Sequence, residues 1–318
     1  MPAVSSVSQG SMEPPPKRSK LERLRMECVL DDSLTRDVEY VDVWIGRILA
    51  KKSIRSVILE LNAKHPIPSL SHLKRVKKDW IVLCLAEITD SIESFLKELS
   101  IDTTQIGDFK RAQVAKGPPV TRKQFESAND KWPCNFHENK SLERLINNSF
   151  SDEDLTYHER WMMIAVKTAE EAGKNSACVV VDPRSDQIVC KSADNRASHP
   201  LQHSAMLAID DVAKTQGGGA WSVSSIDGIC SDSVERSEDR DGPYLCTGYD
   251  VYMTREPCIM CAMALVHSRA KRVFYGIPSS NGSLGSVAKI HLIKELNHHY
   301  EVYRGLCAED CFKLEQLC

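Results

Sequence analysis

GYDVYMTREPCIMCAMALVHSRAKRVFYGI, residues 248–277, decides the fold. GYDVYMT reads as a strand, EPCIMCAMALVHSRA as a turn and helix, and KRVFYGI as a second strand. Two strands joined by one helix run parallel, and such crossovers are right-handed. The stretch therefore predicts a layered α/β domain. Pro257 suits the first position of the helix, which puts Cys258 and Cys261 in its first turn, about one turn apart, with both sulfurs on one face. A helix N-terminus favours thiolate over thiol, the form a metal requires.

Upstream, HSAMLAIDDVA (residues 203–213) opens a second helix with a histidine. Zinc in hydrolytic sites takes three protein ligands and leaves one position for water. His203, Cys258 and Cys261 supply that number and those types. A lone histidine is more often a core residue than a ligand, and a single C-x-x-C is weak. Each at the start of a helix in an alternating α/β region, the three together point to Zn2+.

Outward from these ligands, Ser151 caps a helix whose S-D-E-D start carries early acids and whose apolar face runs through Trp161, Ile164, Ala165 and Thr168 to Gly173. SACVVVDP and QIVCK form a hairpin around a turn at 183–186. Residues 215–243 are rich in Gly, Ser and Asp without a period, and read as a mobile insertion. In the front half, 38–49 is strand-like, 53–63 and 69–78 read as helix, and WIVLCLAEI from Trp80 as a strand. A helix from Asp90 and an extended segment from Phe109 follow, so residues 28–140 form a small α+β domain. The turn-rich stretch 117–140 reads as the link to a second domain, 151–318. Residues 1–27, with PPPKRSKLERLR, read as a disordered basic tail of the kind found in nuclear-import patches or RNA-contacting arms.

A chain of 318 residues, 42% hydrophobic, fits two domains. No run approaches the ~18 apolar residues of a membrane span, and the N-terminus lacks the apolar core of a secretion signal. An intracellular protein without membrane contact is expected, its 12 cysteines reduced and mostly buried. Residues 1–140 carry 23 Lys+Arg against 19 Asp+Glu, the remainder 18 against 25. A basic front half is compatible with nucleic acid, although solvated surface charge explains such a bias equally well.

His203-Ser-Ala-Met206-Leu-Ala-Ile-Asp210, followed by Thr254-Arg-Glu-Pro257-Cys258-Ile-Met-Cys261, resembles the zinc-dependent nucleoside deaminase signature H-x-E…P-C-x-x-C. Cys261-Ala-Met-Ala-Leu-Val-His-Ser-Arg269 and Val273-Phe-Tyr-Gly276 are similar to the branch that deaminates adenosine in tRNA. The resemblance covers about residues 151–318. It implies a three-layer α-β-α, cytidine-deaminase-like domain with a mixed five-stranded sheet, preceded by the small α+β domain.

One position departs from the signature: Ala205 stands where the family has its proton-shuttling glutamate. General acid/base help is worth ~10²–10⁴ in rate, and alanine has no ionisable atom. Eukaryotic wobble-adenosine tRNA deaminase pairs a catalytic subunit with one that keeps the zinc ligands but lacks the glutamate, and the resemblance implies the latter role. It also implies a catalytic partner with an intact H-x-E motif, tRNA as the bound nucleic acid, docking by residues 28–140, and a place in nucleus and cytoplasm. The fourth zinc position falls to Cys318 or to water.

Glu256 is a conceivable substitute acid, but the family carries that glutamate even beside an intact H-x-E. Candidates for phosphate contact are Lys74, Arg75, Lys77, Lys78, Lys110, Arg111, Arg122 and Lys123, with Arg269, Lys271 and Arg272 as a further cluster. Trp132 and Phe136 suit base stacking or core packing. Three functions remain open: a zinc-bearing scaffold subunit of an RNA deaminase, a self-sufficient deaminase with another acid, and a zinc-stabilised RNA-binding protein without a deaminase partner.

Overall fold

The computed structural model describes residues 26–147, 150–221 and 243–316. Residues 1–25 of the expected tail and most of the expected mobile insertion lie outside them; the tail's last two residues do not fit the expectation of disorder, since Met26 is buried and Glu27 pairs in a sheet. The described residues divide into two compact units: those of Asp32–Asn147, and those of Met1–Asp31 together with Asn148–Cys318.

Glu27–Cys28 (β1) belongs to the larger unit, because it pairs with a strand near the C-terminus: Glu27 faces Arg304, Cys28 faces Tyr303, and the Val29 amide donates to Val302 O at 2.8 Å. The smaller unit opens with the short helix Asp32–Thr35 (α1) and is built on a four-stranded antiparallel sheet. Its strands are Tyr40–Ile48 (β2), Val76–Lys77 (β3), Trp80–Leu85 (β4) and Ile106–Ala115 (β5), in the order β3-β4-β2-β5. Helices Ile54–Lys64 (α2) and Ile92–Glu98 (α3) bury Val57, Leu61, Ile92 and Leu96 against Ile48, Ile81, Leu83 and Ile106. Helix Arg122–Lys131 (α4) packs Ala128 with Val43, Ile45, Val82 and Val114 on a second core, and Lys140–Ile146 (α5) follows.

Two segments differ from expectation. Residues 69–78 are a 3-10 turn and the two-residue β3, not a helix, because Arg75 draws its backbone against β4, with Nε donating to Val82 O at 3.1 Å. Residues 117–140 are more than a link. Thr121 Oγ1 accepts from the Gln124 amide, and the Gln124 side chain returns the bond, a capping box that starts α4.

The larger unit carries the mixed sheet, order β1-β10-β9-β8-β6-β7, one short strand more than the five expected. Its strands are Ala177–Asp182 (β6), Gln187–Ala193 (β7), Asp250–Arg255 (β8), Arg272–Ile277 (β9) and Glu301–Arg304 (β10). β6 pairs antiparallel with β7 and β8, whereas β8, β9 and β10 are parallel. Period-2 alternation gives each face its own core. Tyr252, Phe274 and Tyr303 stack side by side under helix Asp152–Glu171 (α6), where His158 lies 4.3 Å from the Phe274 ring centroid. Val251, Met253, Val273 and Tyr275 face helices Ser204–Thr215 (α7) and Ile259–His267 (α8). Helix Ala308–Leu314 (α9) packs beside α6. The result is the expected α-β-α layering. No helix among the described residues is long and apolar enough to cross a membrane.

Candidate metal centre

The helices α7 and α8 start beside one another, past the carboxyl end of β8. His203 is the N-cap of α7 and Cys258 the N-cap of α8. The helix thus begins two residues later than Pro257 suggests, with Cys258 as its cap and Cys261 three residues on. Cap residues have extended backbone, which turns the side chain toward the open helix end. The His203 imidazole accordingly bonds to no backbone amide of its own helix.

The donor atoms of His203, Cys258 and Cys261 lie within 4.8 Å of one another, and Cys258 Sγ is 3.6 Å from His203 Nδ1. Tetrahedral zinc with usual bond lengths separates sulfur and nitrogen ligands by about 3.5 Å. The triad therefore fits zinc in donor type, number and spacing. The Cys258 thiol is pulled down to about 5 by a hydrogen bond from Cys261, with backbone amides and the His203 ring adding to it against the effect of burial. Cys261, the donor in that bond, is pushed up. Bound here, zinc would join two helix starts and supply Lewis-acid polarisation to any water in its fourth position.

A cavity of about 300 Å³ adjoins the triad, lined among others by Ser176, Asp194, Arg196, Arg255, Ser279 and Asn281. Ala205 is fully buried and packs in the core with Ala208, Val251 and Leu265. The two acids lining the cavity are both engaged. Asp194 pairs with Arg196 at 2.5 Å, and Glu256 accepts four hydrogen bonds from the 279–286 loop. Sequence reasoning missed Asp194, Arg196, Arg255 and the 279–281 wall, since none sits in a ligand-spaced motif.

The basic candidates separate. Arg75 is half-buried, its guanidinium bonded to Asn62 Oδ1 and to carbonyls of His65, Val82 and Leu83, and burial lowers it to about 10. Lys77 Nζ donates to the carbonyls of Asp130 and Lys131 at the end of α4. Both brace the fold. Lys110 lies over Trp80 at 3.9 Å, Arg111 over Trp44 at 5.1 Å, and Arg122 pairs with Glu138, all three at the surface. Lys74, Lys78 and Lys123 are exposed. Arg272 is tied to buried Asp250, and Arg269 lies over Tyr244. Trp132 is core, its Nε1 donating to Lys74 O, and Phe136 stacks on Phe125 at 4.9 Å. Cys318 lies outside the described residues.

Residues 155–277 match the family described as cytidine and deoxycytidylate deaminase zinc-binding region, and 41–132 match the tRNA-specific adenosine deaminase TAD3 N-terminal domain. A zebrafish protein named probable inactive tRNA-specific adenosine deaminase-like protein 3 is 38% identical, over 96% of this chain and 99% of its own length. The chain belongs to the TAD3 family. The human protein of the same name is 37% identical over 89% of this chain and 90% of its own, and the budding-yeast tRNA-specific adenosine deaminase subunit TAD3 is 31% identical over 85% of each. In the TAD3 family the N-terminal match spans β2 through α4, and the deaminase match spans α6 through β9, so both ligand-bearing helices fall inside the zinc-binding region.

Proposed function

We propose that this chain is the non-catalytic, zinc-binding subunit of a heterodimeric deaminase that converts adenosine to inosine at wobble position 34 of tRNA, and that it supplies assembly and tRNA docking. One observation carries the reading. The metal triad is whole, yet the position two residues after His203 is Ala205, buried among apolar side chains. Asp194 and Glu256 are bound to other groups, which leaves neither cavity acid to move a proton. A self-sufficient deaminase is disfavoured on that ground.

The partner is a catalytic subunit with an intact H-x-E motif, and the complex works in nucleus and cytoplasm. The name "subunit" borne by the yeast relative supports a partner. Docking of tRNA falls to the smaller unit, through Lys74, Lys78, Lys110, Arg111, Arg122 and Lys123 at its surface. Zinc takes its fourth ligand from Cys318 or from water. Arg255, a cavity residue, pairs with Glu315 at 2.8 Å, which brings the end of α9 toward the cavity wall.

The test is inosine formation in tRNA by the purified chain alone and with its co-purified partner. Activity only in the complex supports the assignment. Inosine formed by the isolated chain, or a stoichiometric complex lacking any H-x-E subunit, overturns it.

A further inference from the structure

Glu256 sits in the turn between β8 and α8, one residue before Pro257, and is 4% exposed. Its Oε1 accepts from the backbone amides of Leu284 at 2.9 Å and Ser286 at 3.0 Å. Its Oε2 accepts from the Ser279 amide at 3.1 Å and from the Ser286 hydroxyl. Convergent amides of one loop thus form an anion-binding nest for an acid of the same chain. The loop is also fastened to the ligand turn directly: the Ser283 amide donates to Pro257 O at 2.9 Å, and Gly282 forms a β-bridge with Cys258. A Cβ at Gly282 would overlap the Glu256 carboxylate, so the nest closes only around glycine.

We infer that Glu256 is a positioning residue for the metal: by gathering the 279–286 loop against the Pro257–Cys258 turn, it holds Cys258 where it meets His203 and Cys261, without touching the metal. Hydrogen bonds to a charged acceptor are the strong ones, and here they act between the ligand turn and the loop that flanks it. Groups behind a metal's ligands commonly set affinity by tenfold or more, by fixing ligand orientation. The inference rests on the zinc reading, and it places Glu256 outside proton transfer.

The test uses the full-length chain, with zinc affinity measured by chelator competition and ligand geometry by the visible spectrum of the Co2+ form. E256Q keeps the shape but turns an amide NH2 toward N–H donors. G282A displaces the carboxylate and leaves its charge intact. S286A removes part of the nest. E256Q and G282A are expected to lower zinc affinity at least tenfold and to alter the cobalt spectrum, S286A about threefold, with a larger loss of melting temperature in the zinc-loaded proteins than in the metal-stripped ones, each against wild type in the same state. Should E256Q not fold, G282A and S286A decide. Zinc affinity within twofold of wild type in the folded variants overturns the inference, as does an equal loss of stability with and without metal. Wild type that takes up neither zinc nor cobalt removes the zinc reading itself, and the inference with it.

Discussion

Cys258 Sγ stands 3.6 Å from Nδ1 of His203, the two residues capping neighbouring helices 55 positions apart in the chain. A metal between them is a cross-link whose binding energy is also folding energy. Cys258→Ser is therefore expected to abolish tight zinc binding, lower the melting temperature of the zinc-loaded chain by several degrees, and reduce inosine formation by the complex. Metal analysis and calorimetry on the purified complex check this, and a zinc-free variant that stays fully stable and active contradicts it.

Ala205 is 0% exposed and packs with Ala208 and Leu265. Enlarging a well-packed site costs about 1–3 kcal/mol, and a buried carboxylate without partners adds to that. Ala205→Glu is expected to destabilise the chain and to leave it without deaminase activity, whereas Ala205→Ser changes both little. Thermal melts and inosine yields measured in parallel separate the two substitutions. A large gain in activity from Ala205→Glu means that only the acid was missing.

Burial holds His158 down at about 3 and His291 at about 4, so both are neutral in the folded chain near pH 6. Unfolded histidine titrates near 6.5, and between there and pH 4 the unfolded state binds protons that the folded state does not. Stability is thus complete above about pH 6.5 and falls as pH falls. His158→Gln, which keeps a hydrogen-bonding partner for Tyr252, is expected to flatten that fall by up to about 1.4 kcal/mol per pH unit. Denaturant midpoints from pH 7 to pH 4.5 report it.

The split among the basic residues separates binding from stability. Lys74→Ala, Lys78→Ala and Lys123→Ala are expected to weaken tRNA binding severalfold together and to reduce the salt slope, with melting unchanged. Arg75→Ala leaves three carbonyls and Asn62 without their donor and is expected to cost about 1–3 kcal/mol of stability. Filter binding at several salt concentrations, beside melting curves, distinguishes these outcomes. Equal loss of tRNA affinity in a fully stable Arg75→Ala protein overturns the assignment of Arg75 as a brace.

Gly276 lies in β9 where an added Cβ would overlap the Cys311 side chain and crowd the Thr254 carbonyl. Gly276→Ala is expected to push α9 from the sheet and destabilise the larger unit by about 1–3 kcal/mol. Melting of the variant checks it, and Cys311→Ala in the same chain is expected to recover part of the loss.

By itself the sequence determined what short-range rules encode. Ser151 announces α6, and its Oγ accepts from the Asp154 amide as a cap should. The apolar runs at 177–182 and 250–255 are strands buried on both sides. His203, Cys258 and Cys261 were legible because ligand type and helix-start spacing are local properties. The Thr121-x-x-Gln124 box was equally local, and the prolines and asparagines around it obscured α4.

Only the tertiary structure decided the rest. Two residues of β1 have no period to detect, and their place follows from a bond between Val29 and Val302. Arg75 and Lys77 look like their neighbours Lys74 and Lys78, and differ only in the carbonyls that long-range packing sets within their reach. Glu256 reads as an acid beside a metal until the 279–286 loop closes on it with three backbone amides and a hydroxyl. Periodicity and cap chemistry act within a turn or a strand and are written in adjacent residues; whether a charged side chain meets water, a phosphate or a buried amide depends on which distant backbone folds against it.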